Sequence, residues 1–265
     1  MNIVRPYVLS IAGFDPSAGA GVLADIKTFE NNETYGLGAI SALTYQNDIA
    51  FEKVEWMSLS QIIKQIGVLQ KRFYFEYIKI GLVQNLELLY QLILQIKTNR
   101  QPEIANLKFI WDPILKASAG FEFHNHINKE LLEDICKQLY LITPNVPEAL
   151  QLGGYNNAEQ NAAYLGKFCN VYLKGGHSEA AIGKDILFTR DGNQFVFNNE
   201  ANSISPKHGS GCVLSSAITA NLAKGMNLEN ACLEAKKYVS TFLASNCSLL
   251  GYHKTETQLS ESKKE

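Results

Sequence analysis

Residues 7–31 read YVLSIAGFDPSAGAGVLADIKTFEN, and the order of their three parts decides the fold. Tyr7–Ala12 is a short apolar run of strand length. Gly13-Phe14-Asp15-Pro16-Ser17-Ala18-Gly19-Ala20-Gly21 is a loop of small residues, and Gly19–Asn31 then carries apolar residues at helical spacing. A buried strand, a glycine-rich turn and a helix make the first half of a βαβ unit. The pattern recurs along the chain. Further strand-like runs are Gly36–Ala42, Tyr77–Val83, Phe109–Asp112, Leu139–Thr143 and Val171–Lys174. Helical patterns fall at Ser58–Lys71, Leu86–Lys97, Lys129–Leu139, Ala158–Phe168, Gly211–Ala223 and Leu228–Ser245. Such alternation predicts an α/β fold, with a mainly parallel central sheet covered by helices on both faces. Ile186–Arg190 and Gln194–Asn198 flank Asp191-Gly192-Asn193 and read as a hairpin at a sheet edge. No repeat or low-complexity linker divides the chain, so residues 1–253 read as one domain and 254–265 as a polar tail.

Composition excludes several classes. Of 265 residues, 46% are hydrophobic and 19% charged, enough apolar material for a large core and too little charge for a disordered chain. Lys and Arg total 24 against 26 Asp and Glu, a formal charge of -2, which argues against a nucleic-acid-coating surface. No apolar run approaches the roughly 18 residues that span a bilayer. Arg5, the apolar run to Phe14 and Ala18-Gly19-Ala20 mimic a signal peptide, but Pro6, Gly13 and Asp15 interrupt it. The five cysteines (Cys136, Cys169, Cys212, Cys232 and Cys247) are odd in number, widely spaced and form no CxxC pair, so reduced thiols in a cytoplasmic protein are expected.

Three places can carry chemistry. The first is the loop from Gly13 to Gly21, at the carboxyl end of a strand, where open α/β sheets bind ligands. Gly19-Ala20-Gly21-Val22-Leu23-Ala24 matches a dinucleotide fingerprint, yet the acid expected about 20 residues later, at the second strand end, is missing. A turn that only packs strand on helix stays open. Asp25, one turn on, and Gln46, past the second strand, could together read a small heterocycle; Asp25 alone is more often a solvated helix acid.

The second place joins Asp112, after Trp111, to Thr143-Pro144-Asn145-Val146-Pro147-Glu148. Oxygen ligands at strand ends suit Mg²⁺, which keeps much of its water and bridges phosphates, although turn and capping chemistry also accounts for them. Lys174-Gly175-Gly176-His177 brings a cation to the same edge, and no Walker motif occurs anywhere. The third place is Lys207-His208-Gly209-Ser210-Gly211-Cys212. It opens a helix with no charged residue from Gly209 to Ala223, so the helix is expected to be buried and its free amides to gather an anion. Cys212, in the first turn, is expected to have a lowered thiol pKa; an inert core cysteine is the other reading.

In order along the chain, SIAGFDPSAGAGVLADIKTF, ALTYQN, YIKIGLV, DPIL, LITPNVPEA, LKGGH, LFTRDG and HGSGC resemble the hydroxymethylpyrimidine/phosphomethylpyrimidine kinases of thiamine synthesis, members of the ribokinase-like superfamily. The resemblance implies a ribokinase-like three-layer sandwich that binds ATP, Mg²⁺ and a small pyrimidine, with no membrane or nucleic-acid partner and a homodimeric assembly. It implies that Gly13, Asp25 and Gln46 contact the pyrimidine. It places Asp112, Thr143, Asn145, Glu148 and Lys174 around nucleotide phosphates, with Asp112 and Glu148 holding Mg²⁺ through water. Gly209, Ser210, Gly211 and Cys212 become the anion hole, Cys212 beside the attacking hydroxyl. Three departures stand out: Ala18 for a glycine, Ser210 for threonine and Leu82 for methionine. A pyridoxal kinase is the alternative enzyme, a pyrimidine sensor without turnover the non-enzyme alternative, and a nicotinamide enzyme the weakest.

Overall fold

The computed structural model describes residues 4–100, 106–115, 127–175, 184–198 and 205–253. Nine strands share one sheet: β1 (Tyr7–Phe14), β2 (Tyr35–Gln46), β3 (Phe51–Trp56), β4 (Tyr77–Ile80), β5 (Lys108–Trp111), β6 (Leu141–Ile142), β7 (Asn170–Leu173), β8 (Asp185–Phe188) and β9 (Gln194–Phe197). Their spatial order is β3-β2-β1-β4-β5-β6-β7-β8-β9. Strands β1, β2 and β4 to β7 run parallel; β3 at one edge and β8 and β9 at the other pair antiparallel. The edge hairpin is the expected one, with Gly192 at φ 91° in its turn.

Side-chain alternation sorts the core into two layers. Leu9 and Ile11 of β1, Ile78 and Ile80 of β4, Phe109 and Trp111 of β5, and Val171 and Leu173 of β7 point to one face. There they meet α2 (Leu59–Gln70), α3 (Leu86–Thr98), α4 (Lys129–Gln138), α5 (Val146–Leu152) and α6 (Ala158–Leu165). The intervening Val8, Ile110, Leu141 and Tyr172 point to the other face, under α1 (Gly21–Asn31), α7 (Ser210–Ala223) and α8 (Leu228–Leu243). By that alternation Lys79 of β4 faces the α1/α7 layer, an ammonium where its neighbours would put a hydrocarbon.

Strands β1 and β4 are neighbours, but the chain leaves β1 for β2 on one side and leaves β4 for β5 on the other. At such a switch point the loops diverge and open a crevice at the carboxyl ends of the strands. Helix α7 runs beneath that crevice with eleven buried residues, as its uncharged sequence implies. Strand β3 escaped the sequence reading because Phe51, Val54 and Trp56 are only half-buried on an edge strand. Strand β2 also runs on to Gln46, further than its apolar run. The polar tail, 254–265, and Gly176 and His177 lie outside the described residues.

Candidate active site

The loop after β1 folds around Asp15. Its carboxylate is fully buried and accepts hydrogen bonds from Ser17 N (2.9 Å), Ser17 Oγ (2.8 Å) and Ala20 N (2.8 Å), and one from His208 Nε2 (2.8 Å). Burial pushes the Asp15 pKa upward, but the bonds from His208, Ser17 and Ala20 outweigh it and hold the carboxyl below its usual range. Gly21 is required where it stands: its φ is 62°, and a Cβ would lie 2.1 Å from the Gly13 carbonyl oxygen. Gly13 packs against Leu82 and Thr44, whose hydroxyl donates to Phe14 O at 2.8 Å. Gln46 stands half-buried at the end of β2, and Tyr45 before it is exposed.

Strands β5, β6 and β7 end on one polar cluster. Asp112, 1% exposed, accepts from Thr143 Oγ1 (3.2 Å), Lys174 Nζ (2.8 Å) and Ser215 Oγ of α7 (3.1 Å). Asn145 and Glu148 cap α5 reciprocally, Asn145 Oδ1 accepting from Glu148 N (2.8 Å) and Glu148 Oε2 from Asn145 N (2.7 Å). Lys174 Nζ lies 3.7 Å from Glu148 Oε2. The cation serves two acids unequally. Burial raises the Glu148 pKa and the Asp112 charge adds to it, against Lys174, to about 7. For Asp112 burial is outweighed by Lys174 and Lys79, and its pKa falls. Lys174 rises, since Asp112 and Glu148 outweigh its desolvation.

The first turn of α7 faces this cluster. Gly209 is the N-cap in the left-handed region (φ 74°), and no side chain caps the helix. A Cβ on Gly211 would sit 3.4 Å from Lys174 Nζ and 4.0 Å from Asp112 Oδ2. A helix N-terminus with no side-chain cap therefore lies beside a lysine, the combination that suits an anionic oxygen. Cys212 is buried here. Its thiol is pushed up to about 11, by burial first, with Lys79 opposing, Asp112 and Asp25 adding, and a bond from the Gly21 backbone N–H opposing. This corrects the expectation of a lowered thiol pKa: the dielectric cost of a buried thiolate exceeds the pull of the helix end. Cys212 is neutral at physiological pH.

Asp25 is fully buried rather than a solvated helix acid. Its Oδ1 accepts from Lys79 Nζ (2.8 Å) and Ser216 Oγ (2.8 Å), its Oδ2 from Lys79 Nζ (2.8 Å) and Ser10 Oγ (2.5 Å). A ligand reaches it only by displacing one of these donors. Burial lowers the Lys79 pKa, but the Asp25 charge, then Cys212 and Asp112, outweigh it and the net shift is upward. The structure thus gathers Asp112, Thr143, Asn145, Glu148, Lys174 and Gly211 in one cluster. It joins Gly209 and Cys212 to the loop bearing Gly13, and sets Asp25 beneath. Gln46 stands apart at the β2–β3 corner.

Asp15, Lys79, His208 and Ser215 went unnoticed as structural parts of the site. Lys79 carried a signal, a lone charge inside an apolar strand. Ser215 carried none, since a serine in a small-residue helix reads as filler. The resemblance implies Mg²⁺, and Asp112 after β5 and Glu148 in the first turn of α5 are the two carboxylates that would hold it. Among the described residues no group of three or more acids, histidines or cysteines could enclose a metal. A pair of carboxylates fits Mg²⁺, which is held by one or two carboxylates plus water and phosphates.

A parallel switch-point sheet with an uncapped glycine turn, a strand-end lysine and paired acids defines an α/β small-molecule kinase of ribokinase-like fold. The phosphomethylpyrimidine kinase family profile matches residues 15–256, and the chain belongs to that family. It is similar to the hydroxymethylpyrimidine/phosphomethylpyrimidine kinase of Aquifex aeolicus (strain VF5), with 34% identity over 91% of this chain and 95% of that one. Among solved structures, phosphomethylpyrimidine kinase from Clostridium difficile 630 superposes with a TM-score of 0.72 at 29% identity, covering 89% of this chain and 98% of that one. The pyridoxal kinase from Staphylococcus aureus in complex with AMP-PCP gives 0.75 at 26%, over 91% and 89%. No helix among the described residues is long and apolar enough to cross a membrane.

Proposed function

We propose that this chain transfers the γ-phosphoryl group of ATP to the hydroxymethyl group of 4-amino-5-hydroxymethyl-2-methylpyrimidine, and a second to the resulting monophosphate, for thiamine synthesis. The observation that carries the reading is the uncapped first turn of α7, with Gly211 Cα positioned so that its Cβ would be 3.4 Å from Lys174 Nζ. Phosphoryl transfer passes through a loose transition state, so catalysis is positioning and charge neutralisation. The amides of Gly209 to Cys212 and the Lys174 ammonium neutralise the transferring group. Asp112, which also accepts from the Thr143 hydroxyl, holds Lys174 in place, and Asp112 and Glu148 would hold Mg²⁺, which would supply charge neutralisation on the phosphates. Gly13 lines the pyrimidine side on this reading, with Asp25 acting beneath it and Gln46 approaching from the β2–β3 corner.

The neutral thiol of Cys212 explains why no carboxylate stands there. The second acceptor is a phosphate, already anionic, which needs no base and is repelled by fixed negative charge. The single nine-stranded sheet supports reading residues 1–253 as one catalytic domain. A cytoplasmic homodimer is the assembly we propose, and light scattering on the purified chain reads its mass.

A pyridoxal kinase is the second reading, favoured by the likeness to the Staphylococcus aureus enzyme. ADP release is to be measured with the pyrimidine alcohol, its monophosphate and pyridoxal. Turnover of the monophosphate supports the first reading, because pyridoxal chemistry offers no second phosphorylation. Turnover of pyridoxal alone supports the second, and saturable pyrimidine binding without ADP would mark a sensor.

A further inference from the structure

We infer that Asp15 and His208 form a clasp that positions the anion hole, locking the loop after β1 against the N-terminus of α7. This inference deepens the proposed function and rests on that reading of the α7 turn.

Each half of the clasp is anchored in its own element. Asp15 is fixed by Ser17 and Ala20 within its loop, whether or not His208 is present. On the other side, His208 N donates to Leu249 O at 2.9 Å. The neighbouring Lys207 ammonium donates to Asn246 O (2.5 Å), Ser248 O (2.6 Å) and Asn246 Oδ1 (3.2 Å). The histidine backbone is therefore tied to the 246–249 segment, and only its ring reaches across to the first loop.

The seam the ring bridges is tight. A Cβ on Gly209 would lie 2.0 Å from Gly19 O, and one on Gly19 would lie 2.5 Å from His208 Cδ2. Across the same seam that Gly209 Cβ would also lie 2.8 Å from Ala20 Cα. His208 is 8% exposed; among the described residues its buried Nδ1 has no hydrogen-bond partner, and the bond from Nε2 to Asp15 Oδ2 is the ring's one hydrogen bond. That bond is charge-assisted and buried, the stronger kind of hydrogen bond. Backbone donors stabilise a transition state only when held within about half an ångström of the productive position. His208 touches no reacting atom here; it is a positioning residue acting through Gly209 and Cys212.

Three variants of the full chain test this. His208→Ala removes ring and tie; His208→Phe keeps the ring's bulk and removes the tie; His208→Gln keeps an amide N–H in reach of Asp15. The expected result is a kcat lowered by about tenfold or more in the Ala and Phe variants, KM values within about twofold of the parent, and recovery of most of the loss by Gln. A readout independent of turnover is alkylation of Cys212 by iodoacetamide, resolved by peptide mass spectrometry with exposed Cys247 as internal reference. Cys212 labelling rises several-fold in Ala and Phe and stays at the parental rate in Gln. Phe matching the parent in kcat and labelling, or Gln as impaired as Phe, overturns the clasp. A parent chain that fails to phosphorylate the pyrimidine overturns the functional reading instead, and the labelling arm then decides the clasp alone.

Discussion

Substituting Asp25 by Asn leaves the Lys79 ammonium in a site where both side chains have no exposed surface. The replacement is isosteric and keeps one acceptor for Ser10 or Ser216, so the change is mainly the loss of a counter-charge. Breaking a buried ion pair from one side costs about 3–5 kcal/mol. Unfolding entropy near the midpoint is about 2.1 cal/mol/K per residue, or about 0.56 kcal/mol/K for 265 residues, so Tm should fall by about 5–9 °C. Lys79→Met alone costs less, since the stranded carboxylate keeps Ser10 and Ser216 as donors. The double variant removes both charges and should recover on the order of 2 kcal/mol relative to the sum of the singles. Scanning calorimetry on the four proteins gives the cycle. A drop below about 2 °C for Asp25→Asn, or singles that simply add, would show that Lys79 finds water or another acceptor and would refute the buried-knot account.

Gly211→Ala places a methyl group 3.4 Å from Lys174 Nζ, with no left-handed backbone to strain. It should leave Tm unchanged or higher and lower turnover by about tenfold or more; a fully active variant means phosphate does not sit there. Glu148, with its pKa raised from 4.5 to about 7, keeps its proton on folding longer than in the unfolded chain. Stability is then full below the unfolded value and is lost as pH rises through about 7. Glu148→Gln preserves the capping box and should be more stable than the parent by on the order of 2 kcal/mol at about pH 8, with no gain at about pH 4.5. Equal stability at both pH values counts against the raised pKa. Ala18 has φ 56°, where a Cβ is disfavoured. Ala18→Gly should raise Tm by about 1–2 °C, the relief of about 1–2 kcal/mol being partly offset by glycine's freedom in the unfolded chain; a lower Tm refutes this. Cys212→Asp adds a third acid beside Asp25 and Asp112. Monophosphate turnover should fall far more than alcohol turnover, and equal losses would sink the repulsion argument.

The glycine loops, the strand-end acids and the uncharged helix were all legible because each is a local statement. Glycine where a turn is tight, proline and acid at a helix start, and an uninterrupted small apolar stretch each satisfy a constraint within a few residues. The strand boundaries were less legible. Short buried strands such as Leu141–Ile142 are held by neighbours on both sides, and their ends depend on pairing. Strand β3 was invisible because an edge strand needs neither continuous hydrophobicity nor strict alternation.

Sequence alone determined the class of fold, the end of the sheet where chemistry sits and the family that the motifs resemble. It could not decide charge states, because a pKa is set by burial and by partners distant in the chain. Cys212 met a helix N-terminus in the sequence, which favours a thiolate, but in the fold it is buried, with the charges of Asp112 and Asp25 adding to that burial, which favours a thiol. Asp25 and Lys79 are separated by 54 positions, and Asp15 and His208 by 193. Those pairings exist only once α1, α7 and the sheet close on one another, since hydrogen bonding and desolvation act through space and not along the chain.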